Sequence, residues 1–81
     1  MKKKLLITGC SKGIGQATLR RLIKEKKYEI YVISKHIETL KIINDLQVFE
    51  CDLSDEKEKI RTIQKIIKIS KGIDILINNA G

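Results

Sequence analysis

A chain of 81 residues with 42% hydrophobic and 33% charged residues and no proline has the composition of one small α/β unit, which excludes a disordered tract or a membrane span. Lys and Arg outnumber Asp and Glu by 17 to 10, for a net charge of +7. The basic residues are scattered through every predicted helix, and one Phe and two Tyr leave little for base stacking, so the charge argues against a nucleic-acid surface and for a small anionic ligand.

At the N-terminus, Met1-Lys2-Lys3-Lys4 followed by Leu5-Leu6-Ile7-Thr8-Gly9-Cys10 has the outline of a lipoprotein signal ending in a cysteine. A signal h-region needs about 7–15 apolar residues, and this run reaches glycine far too soon. Cytoplasmic retention is the expectation. Lys3 to Thr8 instead reads as a first strand, apolar enough for burial on both faces of a parallel sheet. Ile14 to about Lys26 reads as a helix with Ala17, Leu19, Leu22 and Ile23 on one face. The β-branched and aromatic run Glu29 to Ser34 is a second strand.

His36 to Leu46 is expected to form a second helix, with Ile37, Leu40, Ile43 and Leu46 at helical spacing. Gln47 to Cys51 is then a third strand. Ser54 is the expected N-cap of a third helix that carries Asp55 and Glu56 at its start, Ile60, Ile63 and Ile67 on its apolar stripe, and Gly72 as its stop. Ile73 to Asn78 is the fourth strand. Strands alternating with helices across short connections predict right-handed βαβ units, hence a parallel Rossmann-like sheet, β-α-β-α-β-α-β, in the order 3-2-1-4. Cys10 and Cys51 then lie two strands apart, roughly 10 Å, beyond the about 7 Å a disulfide tolerates. Both read as reduced thiols, with packing as their role.

The organising stretch is Ile7-Thr8-Gly9-Cys10-Ser11-Lys12-Gly13-Ile14-Gly15, a glycine loop between strand and helix. The first amides of a helix lack intrahelical acceptors and carry the positive end of its dipole, so they attract a diphosphate. Gly9 lets the chain turn out of the strand, while Gly13 and Gly15 remove side chains that would keep the diphosphate off those amides. At the end of the second strand, where a carboxylate would bind a ribose 2′-hydroxyl, stand Ser34 and Lys35. A small neutral residue followed by a cation suits a 2′-phosphate; the less favoured alternative is that Lys12 and Lys35 are surface lysines of a basic chain. His36, without Cys, Asp or His at ligand spacing, is read as solvent-facing and not as a metal ligand.

The glycine spacing, Cys51-Asp52-Leu53 after the third strand, and Asp74-Ile75-Leu76-Ile77-Asn78-Asn79-Ala80-Gly81 at the far end together resemble the short-chain dehydrogenase/reductase family over the whole chain. The resemblance implies that residues 1–81 are the N-terminal part of a dinucleotide-binding domain, cut before its catalytic half. It implies NADP(H) in preference to NAD(H), with Lys12 and Lys35 at the two basic positions that accompany the 2′-phosphate. Gly9, Ser11, Lys12, Gly13, Ile14 and Gly15 would form the diphosphate loop. Asp52 would accept from the adenine amino group, Leu53 would offer its backbone amide, and Asn79 and Ala80 would line the floor. Asn78 may be a strand-end residue only, and Asp52 a turn aspartate only. The implied parent reaction is hydride transfer between nicotinamide and a carbonyl or alcohol, in a homo-oligomer. A non-catalytic nucleotide-binding or regulatory module is the alternative, and a basic nucleic-acid-binding domain a more distant one.

Tyr31-Val32-Ile33-Ser34-Lys35 matches the family's catalytic Tyr-x-x-x-Lys by letters but falls on a strand, where residues four apart stand ~13 Å from one another instead of the about 5–6 Å of a helix face. No catalytic residue is therefore assigned within the chain.

Overall fold

The structure, a computed structural model, describes residues 2–9, 13–41 and 43–79. Its elements in chain order are β1 (Lys3–Thr8), α1 (Gly13–Glu25), β2 (Tyr28–Ser34), β3 (Leu46–Glu50), α2 (Glu56–Ser70) and β4 (Ile75–Asn78). The strands form one four-stranded sheet in the order β3-β2-β1-β4, every pair parallel, as the alternating pattern predicts.

Because side chains on a strand point alternately to the two faces, the short apolar runs feed two separate cores. Leu5, Ile7, Ile30 and Val32 point to one face and pack with Leu19 of α1 and with Leu40. Leu6, Tyr31 and Ile33 point to the other and pack with Ile66 of α2 and with Cys51. The helices thus lie on opposite faces of the sheet, and every loop that leaves a strand at its carboxyl end emerges on one rim.

Residues 36–46 do not form the expected second helix. The described residues 38–41 and 43–45 form turns and a bend, with Leu40 and Lys41 donating to the Ile37 carbonyl and Ile43 to that of Leu40, and Leu46 already belongs to β3. The apolar spacing that suggested a helix serves burial without one: Ile37 and Leu40 are buried, Leu40 completely, and Ile43 packs beside them. Asp45, at φ 71°, adopts the left-handed conformation just before β3, which fits a short turn better than a helix running into a strand.

Smaller differences follow the same logic. Asp55, not Ser54, caps α2, its carboxylate accepting from the Glu58 amide at 3.1 Å. Lys71, left-handed at φ 65°, ends that helix one residue before Gly72. The stripe of α2 that reaches the core is Ile63, Ile66 and Ser70, while Ile60 and Ile67 are 51% and 50% exposed. Ile63, Ile66 and Ser70 keep i, i+3, i+7 spacing on one face, and the expected stripe was turned partly off it. Ala17 of α1 is likewise exposed, and Gly15 is buried in its place.

The fourth strand begins at Ile75 because Asp74 is occupied with β1. Its amide donates to the Lys4 carbonyl at 2.8 Å, and its carboxylate accepts from the Lys4 amide at 2.8 Å. The Lys4 ammonium reaches back to the Ser70 carbonyl at the end of α2. No helix among the described residues is long and apolar enough to cross a membrane.

Candidate functional site

Three backbone hydrogen bonds continue the sheet by one residue past its strands, and they position the rim. Gly9 N–H donates to the Ile33 carbonyl at 3.1 Å, Cys51 N–H to that of Ser34 at 3.0 Å, and Asn79 N–H to that of Thr8 at 3.2 Å. The first residue of each loop is therefore held in the register of the sheet. Between these anchors lies a cleft of about 240 Å³ lined by Gly9, Ile33, Ser34, Lys35, Cys51, Asp52, Leu53 and Ser54. Drug-sized sites run to about 300–1,000 Å³, so this cleft suits one end of an extended ligand.

The glycine loop enters at one side. Gly9 has φ 67° and Gly13 φ 56°, the left-handed region that costs a residue with a Cβ. At Gly13, the first residue of α1, a Cβ would meet no atom within 4 Å among the described residues beyond its chain neighbours. The first turn of α1 holds no acidic side chain of its own to offset the positive end of the dipole. Ile14 and Gly15 lie in that first turn, Gly15 buried. Cys10, Ser11, Lys12 and Ala80 lie outside the described residues, and so do the expectations placed on them, the Cys10–Cys51 separation included.

On the other side, Ser34 is buried and its hydroxyl donates to the His36 carbonyl at 3.0 Å. This fixes the turn that carries Lys35, whose side chain is exposed. His36 is exposed as expected, though on this turn and not on a helix.

Asp52 is the most constrained polar group of the cleft. Its Oδ1 accepts from the Ser54 hydroxyl at 2.6 Å and from the Ser54 amide at 3.0 Å, an Asx turn. The Ser54 hydroxyl, then the Ser54 amide, hold its carboxyl below the ordinary carboxylate value, with Lys35 adding a smaller pull. Lys35 Nζ stands 3.7 Å from Asp52 Oδ2. The Leu53 side chain packs into the core under α2, which leaves its backbone at the cleft.

Sequence reasoning missed two partners. Ser54, assigned to a helix cap, instead orients Asp52, and the Asp-x-Ser spacing of an Asx turn was the available signal. Thr8 is buried, and its hydroxyl donates to the Asn78 side chain at 2.9 Å. Asn78 is thereby a link between strand ends, the structural alternative considered for it. Asn79 is exposed beside it, tied to Thr8 by its backbone.

The Tyr31 hydroxyl donates to Glu29 Oε1 at 2.7 Å, toward the amino end of β2 and away from Lys35 beyond its carboxyl end, so this pair does not meet as Tyr-x-x-x-Lys does on a helix. Among the described residues no cluster of three or more His, Cys, Asp or Glu could hold a metal ion.

Residues 3–81 match the family model described as short chain dehydrogenase. The chain belongs to this family. Among similar proteins is an NADP-dependent 3-hydroxy acid dehydrogenase of Schizosaccharomyces pombe, 33% identical over 98% of this chain and 34% of that protein. The solved structure of ElxO with NADP bound is 34% identical, with a TM-score of 0.85 over the full chain and 36% of its own. A 4-hydroxyisoleucine dehydrogenase complexed with NADH is 25% identical, with a TM-score of 0.82 over 99% of this chain and 34% of its own. The chain spans between about a quarter and a third of the curated relatives it matches, 26% and 34% of their lengths.

Proposed function

We propose that residues 1–81 are the N-terminal part of a dinucleotide-binding domain, and that the chain binds NADP(H) in preference to NAD(H). The observation that carries the reading is the rim itself: glycines in the left-handed conformation at Gly9 and at the start of α1, Gly13, and a cleft shared by Ser34, Lys35 and Asp52. The residues fit the group chemically. A diphosphate needs backbone amides without bulky neighbours, which Gly9, Gly13, Ile14 and Gly15 offer, with Ser11 and Lys12 in the same loop. A 2′-phosphate needs a cation, and the end of the second strand offers Lys35 after the neutral Ser34 where a carboxylate would bind a ribose 2′-hydroxyl. Adenine would find an acceptor at Asp52, an amide at Leu53, and a floor at Asn79 and Ala80. The nicotinamide would supply hydride chemistry when bound.

The names of the similar proteins support this reading from outside, since one relative is NADP-dependent and one similar structure holds NADP. The NADH-bound neighbour shows why the choice has to be argued from Lys35 and not from the family. For the parent protein we propose reduction of a carbonyl or oxidation of an alcohol, in the cytoplasm and as a homo-oligomer.

Equilibrium binding of NADP+ and NAD+ to the chain and to its Lys35→Asp variant tests the assignment. A charge-assisted contact contributes about 1.5–3 kcal/mol, or about 10- to 150-fold in affinity, so the variant is expected to reverse the preference. A ratio of affinities that Lys35→Asp leaves unmoved would show that Lys35 does not read the 2′ position.

A further inference from the structure

The two side chains assigned above to different parts of the cofactor are joined to each other. Asp52 Oδ1 is taken by two hydrogen bonds from Ser54, which leaves Oδ2 facing the Lys35 ammonium at 3.7 Å. The carboxylate is anchored and the lysine is not: the Lys35 side chain is 66% exposed, against 40% for Asp52. The same carboxylate that would accept from adenine is therefore also an internal anion competing for the cation that would read the 2′-phosphate.

We propose that Asp52 is a positioning residue that sets the degree of 2′-phosphate selectivity by holding Lys35 in the free protein. The inference rests on the NADP(H) reading and deepens it. An incoming phosphate carries about −1.5 to −2 charges and three acceptor oxygens, so it draws Lys35 from a single carboxylate, but only after that exposed pair is broken. Exposed ion pairs are weak, and the pair lowers selectivity without abolishing it. Because the competitor is electrostatic and solvated, its influence fades as salt screens it.

The test compares adenosine 2′,5′-bisphosphate with adenosine 5′-monophosphate, which share the same adenosine, so a damaged adenine contact cancels in the ratio of their dissociation constants. Asp52→Asn keeps an oxygen for the Ser54 hydrogen bonds and removes the charge. It is expected to raise the preference for the bisphosphate by about two- to fivefold at low salt, with the gain shrinking at high salt. Lys35→Met is expected to lose the preference, and Asp52→Asn added to Lys35→Met to change nothing further.

A wild-type chain that discriminates, with an Asp52→Asn variant that discriminates more, supports the proposal. Discrimination that Lys35→Met abolishes and Asp52→Asn leaves unchanged would overturn the proposal while preserving the role of Lys35. An equal gain from Asp52→Asn with and without Lys35 would also overturn it, showing direct repulsion of the phosphate. Lack of discrimination in both the wild type and Asp52→Asn would overturn the NADP(H) reading together with the inference.

Discussion

The cleft on the rim and the cleft between α2 and β4 differ in size and in what frames them. The first, about 240 Å³, is framed by loop backbones hydrogen-bonded to strand ends and by Lys35, Asp52 and Ser54. The second, about 380 Å³, is lined by Leu6, Ile63, Ile67, Gly72, Ile73, Ile75 and Leu76, with Asp74 as its one charged residue. Leu76 is 64% exposed there, and among the described residues β4 pairs on one side only, with β1. A cleft that carries Lys35 and Asp52 on loops held by backbone bonds selects a ligand by charge and geometry, whereas one beside a strand edge with a single charged residue favours any apolar surface. The larger cavity is thus the weaker candidate for nucleotide chemistry.

Two neighbouring isoleucines of α2 give the sharpest way to separate support from surface. Ile66 is fully buried against Leu6, Tyr31 and Ile33, and Ile66→Ala is expected to cost about 2–5 kcal/mol. Ile67, half exposed beside the apolar cleft, is expected to tolerate alanine within about 0.5 kcal/mol. Chemical denaturation of both variants checks this. Equal losses would mean that the apolar cleft is closed in solution.

The next effect concerns association. The exposed flank at Leu76 and the one-sided pairing of β4 are expected to make the chain self-associate, and Leu76→Lys to weaken that association by about tenfold, on the order of 1.4 kcal/mol. Sedimentation equilibrium across a concentration series measures it. The choice of Leu76 comes from the structure: Ile75, the more obvious target in the strand's pattern, packs with Leu5 and Ile7 on the α1 face, and a lysine there would damage the core. The Asp74 carboxylate does not protect this edge by charge, since it is occupied by the Lys4 amide of β1.

These cases mark what was legible in the sequence. Strand order and the residues of the rim follow from the glycine loop, the apolar runs and their alternation, because such patterns encode period and chain direction. The expected second helix is absent because Ile37 and Leu40 need only to be buried, and the turn over 38–41 buries them with Ile43 packed against the same core. The stripe of α2 differs from the expected one because the five isoleucines of Glu56–Ser70 fit several helical faces, and only the sheet's position selects Ile63 and Ile66. The Lys35–Asp52 pair had no sequence signal, since the two residues meet through the register of β2 and β3.

The smallest effect appears at high pH. Burial, reinforced by the Glu29 carboxylate, raises the Tyr31 hydroxyl above its ordinary value of 10.0. A raised value means that the folded state keeps the proton longer, so this contribution is complete below about pH 10 and is lost as pH rises through the folded value. Tyr31→Phe is expected to flatten that alkaline loss while costing about 0.5–1.5 kcal/mol at neutral pH for the hydrogen bond. Thermal melts between neutral and alkaline pH check both. An unchanged alkaline limb in the variant would place the titration elsewhere.

The contrast between the two clefts is tested most directly by amide NMR of the 81-residue chain titrated with NADP+ and, separately, with NAD+. The account predicts that Gly9, Gly13, Gly15, Lys35, Asp52 and Leu53 shift, and saturate at lower NADP+ than NAD+, while Ile67 and Leu76 stay where they are. Shifts confined to Ile63, Ile67 and Leu76, or a rim that responds to neither dinucleotide, would contradict it.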